Sequence, residues 1–335
     1  MIQILEGDCR DVLRTLSAES VHCCVTSPPY FGLRDYGIAE QMGLEATPDE
    51  YIAGMVEVFR EVRRVLRDDG TLFLNIGDSY SGSGKGVWNV PDERKALVKE
   101  TYRPSTNPMK TVTGLKPKDL IGIPWMLAFA LRADGWYLRQ DIIWAKPNPT
   151  PESVRDRCTK AHEYLFLLSK APRYYFDADA IQEPFCDERM GASGTRSLRY
   201  SEQSERNGDS GLGGVPTSYR GSTFTQGKTG AVKPNVGQGE RIEATGRNKR
   251  SVWTIATAPF KEAHFATFPP ALVEPCILAG CPVGGTVLDP FGGAGTTGLV
   301  ADRLQRDAIL IELNPAYAEI ARKRVDKDLL NRLGL

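Results

Sequence analysis

An α/β fold with a doubly wound, mostly parallel sheet is predicted by three features of this 335-residue sequence. Short apolar runs alternate with stretches of helical periodicity, the order that builds parallel sheets with helices on both faces. Residues Thr286 to Thr297 pass from a β-branched run through a cluster of glycines into a helical pattern, as a β-α-β unit requires. Two further strand candidates are joined by Lys146-Pro147-Asn148-Pro149-Thr150-Pro151, which carries no helix pattern, so these two are expected to pair antiparallel.

Taken in order, the first strand candidate is the apolar run at 2–5, followed by Arg10 to Leu16 with helical spacing and Asp8 before it. Residues 21–26 form the next strand, 48–67 a helix, and 71–76 a third strand. Helical periodicity returns at 118–133, and strands follow at 137–144 and 163–168. The last part reads as a helix at 270–280, a strand at 287–289, a helix at 297–305, a strand at 308–313 and a helix at 315–330.

Two of these junctions carry chemistry. The strand at 21–26 delivers Thr26-Ser27-Pro28-Pro29-Tyr30 to an exposed turn, where α/β enzymes place their sites. Two prolines fix their own φ and lack N–H donors, which leaves the carbonyls around Ser27 and Pro28 to accept hydrogen bonds. A hydroxyl acceptor, a carbonyl acceptor and the ring of Tyr30 suit a planar base bearing an NH2 group. The bland alternative is a Pro-Pro turn leaving a strand. At the second junction, Asp289-Pro290-Phe291-Gly292-Gly293-Ala294-Gly295-Thr296-Thr297 forms a glycine turn into a helix, whose first N–H groups offer partners to an anionic group. Its glycines, at 292, 293, 295 and 298, do not follow the Gly-x-Gly-x-x-Gly spacing, so the expected nucleotide-like ligand is not a dinucleotide. Glu312, near the end of the next strand, is placed to accept from both hydroxyls of a ribose.

With both motifs in this order, the chain resembles the DNA amino-methyltransferases, which methylate exocyclic NH2 groups of cytosine or adenine. The likeness covers most of the chain. Gly7-Asp8-Cys9 with Leu13 and Leu16 resembles the segment that contacts the cofactor adenine, and His264-Phe265-Ala266-Thr267-Phe268-Pro269 the segment that covers its methionine end. Because Ser-Pro-Pro-Tyr precedes the glycine loop, the order resembles the permuted β class. The resemblance implies a Rossmann-like, S-adenosylmethionine-dependent methyltransferase sheet, with the C-terminal strands beside the N-terminal ones and the antiparallel pair at one edge. It also implies a catalytic half at 1–184, a target-recognition insert at 185–255 and a cofactor-binding half at 256–335.

Site roles follow residue by residue from the same likeness. Ser27, Pro28, Pro29 and Tyr30 would be catalytic. Phe291, Gly292, Gly293, Gly295, Thr296 and Thr297 would surround the methionine moiety of S-adenosyl-L-methionine, with Asp289 on its amino group. Glu312 would hold the ribose, Asp8 the adenine amino group, and Phe265 or Phe268 would line the methionine end. For Asp8 a helix N-cap is the competing reading. Trp144, Lys146 and Asn148 would form walls or polar contacts of the base pocket, with ordinary core packing the alternative for Trp144.

Composition narrows the class. The apolar content suits one large core, and no apolar run approaches the ~20 residues that span a bilayer. Without a charged-then-apolar leader pattern, a cytoplasmic protein of prokaryotic or phage origin is expected. The seven cysteines are scattered, with no Cys-x-x-Cys pair, so neither a disulfide framework nor a metal site is expected. Lys plus Arg equal Asp plus Glu at 42 each, which at first argues against a polyanionic partner. The distribution answers this: 189–250 holds eleven basic against five acidic residues, and 85–119 eight against four. The segment 191–246 contains twelve glycines and little apolar periodicity, so it cannot supply its own core. A basic insert that orders on duplex DNA is one reading, a solvated surface linker the other; the loop at 81–117 carries the same pair of readings.

In the expected mechanism the base leaves the DNA stack, Ser27 and the Pro28 carbonyl accept its two amino N–H bonds, and Tyr30 stacks on it. Ser-Pro-Pro-Tyr resembles the form usual among cytosine-N4 enzymes, with adenine N6 the alternative target. Other readings are a DNA-binding protein without catalysis and an RNA or protein methyltransferase. A cognate restriction endonuclease and a homodimer are further expectations of the family likeness.

Overall fold

A computed structural model describes residues 1–33, 38, 40–82, 114–184, 246–258 and 268–334. Phe265, most of the loop at 81–117 and most of the insert at 185–255 lie outside the described residues. By internal contacts the chain divides into a unit of residues 1–181 with 249–335 and a second unit of 182–248. In the second unit, Glu183 and Arg247 form an antiparallel bridge, with reciprocal backbone hydrogen bonds of 2.9 Å and an ion pair.

The first unit is a three-layer sandwich. Its strands are β1 (Ile2–Glu6), β2 (Val21–Thr26), β3 (Leu66–Ile76), β4 (Tyr137–Ala145), β5 (His162–Ser169), β6 (Val252–Thr254), β7 (Thr286–Asp289) and β8 (Asp307–Glu312). Spatial order is β1-β8-β7-β2-β3-β5-β4-β6, so the C-terminal β7 and β8 sit between β1 and β2, as expected. Every pairing is parallel except those of β5, which runs against both β3 and β4.

The helices are α1 (Cys9–Thr15), α2 (Pro48–Val65), α3 (Ile123–Ala133), α4 (Pro270–Gly280), α5 (Thr296–Arg303) and α6 (Pro315–Leu333). Local chemistry sets their ends. At the start of α2, Thr47 Oγ1 accepts from Glu50 N while Glu50 Oε2 accepts from Thr47 N, and Pro48 supplies a preset φ. Tyr51, Met55, Val58, Phe59 and Val62 then bury one face at helical spacing. Alternate strand residues serve opposite cores: Cys24, Leu72 and Leu74 pack with α1, α2 and α3, whereas Cys23, Val25 and Phe73 pack with α4 and α5. Among the described residues no helix is long and apolar enough to cross a membrane.

Three expectations differ from the structure. The helix expected at 118–133 begins only at Ile123, because Lys118 and Gly122 both adopt positive φ (76° and 87°) and Asp78 caps the backbone N–H groups of Gly122 and Ile123. The third strand begins at Leu66 rather than 71: Leu66 pairs with Val21 of β2, and the register then shifts across the polar residues 67–70 before Thr71 pairs with Cys23. The expected antiparallel pair, β4 with β5, lies toward one edge, but the short β6 pairs beyond it. β6 has three residues, too few to show a strand period.

Candidate active site

The chemistry gathers at one end of the sheet, where the parallel strands finish and β5 begins, the place open α/β sheets reserve for ligands. A cavity of about 300 Å³ opens there. It is lined by Gly7 and Asp8 after β1, by Ser27 to Tyr30 after β2, and by Pro290 to Ala294 with Thr296 after β7. Glu312 at the end of β8 and Trp144, Lys146 and Glu163 from the β4–β5 pair complete its polar wall. The Pro-Pro turn and the glycine loop, more than 250 residues apart in sequence, thus face one space.

Around the Pro-Pro turn the hydrogen bonds have a direction. Tyr30 Oη lies 2.7 Å from Glu163 Oε2 and 3.2 Å from Asn75 Oδ1. A phenol has one proton, and the carboxylate is the stronger acceptor, so Tyr30 donates to Glu163. Burial, and after it the Glu163 charge, push the Tyr30 phenol well above its ordinary value, which keeps that proton in place. Tyr30 Oη is then an acceptor for Ser27 Oγ at 3.4 Å. With its proton committed to Tyr30, Ser27 presents lone pairs as its remaining capacity. The Pro29 carbonyl accepts from Tyr51 Oη at 2.8 Å, whereas no donor among the described residues reaches the Pro28 carbonyl. Gly77 is required beneath the ring, since a Cβ there would lie 2.6 Å from Tyr30 Cε2.

Glu163 also holds Lys146 by an ion pair to its second oxygen, and Asn75 Nδ2 donates to Glu163 at 3.2 Å. The Lys146 ammonium stands 4.3 Å from the centre of the Trp144 ring, and Trp144 Nε1 donates to the Ile255 carbonyl at 2.8 Å. Trp144 is 3% exposed, so packing and cavity wall are both its roles. Asn148 does not line the cavity; it exchanges hydrogen bonds with Thr257, which does.

At the other end, Glu312 is pushed above the ordinary carboxylate value by burial, against backbone N–H bonds from Asn314 (2.8 Å) and Gly293 (2.7 Å). Each carboxylate oxygen takes one of those bonds and keeps acceptor capacity for a diol. Asp8 is both things the sequence allowed. It caps α1 by accepting from Arg10 N at 2.8 Å, and it lines the cavity. Hydrogen bonds from the Arg10 side chain hold its carboxyl below the usual range.

The glycine loop divides unexpectedly. Phe291, Gly292, Gly293 and Thr296 line the cavity, but Asp289, Gly295 and Thr297 do not. Asp289 is fully buried, its oxygens taken by Thr26 Oγ1 and Thr297 Oγ1, each at 2.6 Å, and by Phe291 N at 3.1 Å. It braces the loop from behind the cavity wall. Gly295 serves α5, where its φ of 77° and an Ala321 Cβ 2.8 Å from any added Cβ exclude a side chain. Phe268 lines the cavity. Asn75 and Glu163 were not singled out from sequence: each lies inside an ordinary strand, and only the β3–β5 and β4–β5 registers turn them toward Tyr30 and Lys146.

The cavity fits the expected cofactor's parts: paired acceptors for a diol at Glu312, a carboxylate at Asp8 for an amine donor, and an apolar, glycine-lined passage toward Ser27. Among the described residues no cluster of His, Cys, Asp and Glu is arranged to hold a metal ion. Known proteins resemble the chain in sequence and in fold. A family model described as DNA methylase matches residues 21–323. The chain is 44% identical over 323 residues to the Type II methyltransferase M.SmaI of Serratia marcescens, covering 96% of this chain and 90% of that one. It is 43% identical to M.Cfr9I of Citrobacter freundii, covering 98% and 89%. Among solved structures, the PvuII DNA methyltransferase (cytosine-N4-specific) superposes with a TM-score of 0.58 at 17% identity, over 99% of this chain and 92% of that one. The DNA modification methylase TTHA0409 of Thermus thermophilus, in its complex with S-adenosyl-L-methionine, superposes with a TM-score of 0.56 at 22% identity over 98% and 94%.

Proposed function

Since the chain belongs to the DNA methylase family, we propose that it transfers a methyl group from S-adenosyl-L-methionine to the exocyclic N4 amino group of cytosine at a specific site in duplex DNA. The observation that carries this reading is the direction of the hydrogen bonds at Ser27. An aromatic amino group is a poor nucleophile because its lone pair is delocalised into the ring. Ser27 Oγ and the Pro28 carbonyl accept its two N–H bonds, which favours a pyramidal nitrogen and frees the lone pair for attack along the line of the methyl group. S-adenosyl-L-methionine supplies an electrophilic methyl group when bound. Tyr30 fixes the Ser27 rotor and walls the base, and Glu163 fixes Tyr30. Once methylated, the nitrogen is acidic, so Ser27 or water takes its proton without a strong base. Positioning and aligned acceptors therefore supply most of the rate.

Glu312 and Asp8 bind the nucleoside part of the cofactor, with Phe291, Gly292, Gly293, Thr296 and Phe268 around its methionine part. In a duplex the amino group is stacked and paired, so the target base leaves the helix at a cost of about a few kcal/mol. Cytosine is favoured by the Ser-Pro-Pro-Tyr form of the motif. The Type II names of the relatives support site-specific modification beside a cognate restriction endonuclease.

Replacing Ser27 with Ala tests the role given to its hydroxyl. Single-turnover methylation is expected to slow by about 100-fold, in the range lost with one aligned polar partner. Cofactor affinity by calorimetry stays within a factor of about two, because Ser27 is not among the cofactor contacts. Unchanged turnover would remove Ser27 from the mechanism.

A further inference from the structure

We propose that Lys146, held by Glu163, is the residue that reads the carbonyl of the target base and so separates cytosine from adenine. This rests on the cytosine-N4 reading above and names a determinant within that site. Lys146 is poorly placed for the ordinary work of a lysine in a DNA-binding protein. Its side chain is only 18% exposed, it is ion-paired to a Glu163 that is 16% exposed, and it lies in the cavity wall with the Trp144 ring 4.3 Å from its ammonium. A neutralised, sequestered ammonium gains little from phosphate. An ammonium has three N–H donors, and one serves Glu163. Among the described residues the Trp144 ring is the ammonium's other neighbour, so a donor is left for what occupies the cavity.

A chain of contacts joins Ser27 to Lys146 along one wall. Ser27 Oγ contacts Tyr30 Oη, Tyr30 Oη contacts one oxygen of Glu163, and Lys146 Nζ contacts the other. Two acceptors for an amino group and one cationic donor therefore stand on the same wall, separated by a tyrosine hydroxyl and a carboxylate. Cytosine presents an amino group, then a ring nitrogen acceptor, then the O2 carbonyl along one edge. With the amino group on Ser27 and Pro28, the O2 carbonyl is directed toward Lys146. Adenine matches the first two groups but has a C–H in the third position. It would leave the ammonium facing carbon inside a part-buried site, and an unmet buried donor is penalised more than a made bond is rewarded. Glu163 acts as a positioning residue here, since it fixes Lys146 and Tyr30 with its two oxygens.

The experiment is a cycle between enzyme and substrate. Wild-type labelling first establishes which cytosine is methylated. That cytosine is then replaced in a synthetic duplex by a 2-aminopyridine C-nucleoside, which keeps the amino group and adjacent ring nitrogen but carries C–H in place of the O2 carbonyl. Single-turnover kcat/KM is measured for the wild type, Lys146→Met and Lys146→Gln on both duplexes. Removing either the carbonyl or the ammonium is expected to cost about 10- to 100-fold, the range for a hydrogen bond to a charged group. Removing both is expected to cost no more than removing one. Lys146→Gln, whose amide can still donate, recovers part of the loss on cytosine and none on the analogue. Equal wild-type rates on the two duplexes, or losses that multiply independently, would overturn the proposal even if a variant folds poorly. Wild-type label in adenine would instead overturn the cytosine reading on which it rests.

Discussion

Asp289 shows how a buried residue can be decisive from behind the cavity wall. Its carboxyl is completely buried and, despite bonds from Thr26, Thr297 and Phe291, burial pushes it up to about 6. A carboxyl in the unfolded chain titrates near 4. The folded state therefore binds the proton more tightly, and the associated stability is fully present below about pH 4. It is lost as pH rises to about 6 and stays lost above that. Between those limits the effect is on the order of 3 kcal/mol. Asp8 acts in the opposite sense, since its lowered value adds stability above the unfolded range and loses it as pH falls. Comparing the wild type with Asp289→Asn isolates the first effect. The melting temperature of the variant is expected to fall less between pH 4 and pH 6.5; parallel curves would show that Asp289 does not titrate in this window.

The elements carry the loop that Asp289 braces. α5 is preceded by Gly295 as its N-cap in a left-handed conformation, and α6 packs so closely that Ala321 occupies the space a side chain would need. Gly295→Ala is expected to lower stability by about 2–4 kcal/mol, combining left-handed strain with overpacking. It should weaken cofactor binding as well, because Gly292, Gly293 and Thr296 move with the turn. Urea unfolding and calorimetric titration check both, and wild-type stability would mean that α6 yields at no cost. Most of these elements could be read from the sequence because their patterns are strong: α2 buries one face at helical spacing, and β2 and β7 are largely buried and rich in apolar and β-branched residues. The site was legible in the same measure. Ser27, Tyr30, Gly292 and Glu312 stand at strand ends, which sequence locates well. Glu163 and Asn75 were not legible, since cross-strand register alone brings them together, and neighbours in the glycine loop could not be sorted into those facing the cavity and those facing the core.

The whole molecule joins its two chain ends into one sheet, with β7 and β8 inserted between β1 and β2. That topology sets the glycine loop of one end opposite the Ser-Pro-Pro-Tyr turn of the other, so methyl donor and amino group can meet in one cavity. Net charge is zero, and the excess of basic residues falls in 85–119 and 189–250. The proposed placement of a cytosine amino group on Ser27 is the step on which the chemistry depends. It is tested most directly by incubating the protein with tritiated S-adenosyl-L-methionine and mixed-sequence duplex DNA, then digesting to nucleosides and identifying the labelled one. Label in N4-methylcytosine is the predicted result. Label confined to N6-methyladenine, or none despite measurable cofactor binding, would contradict it.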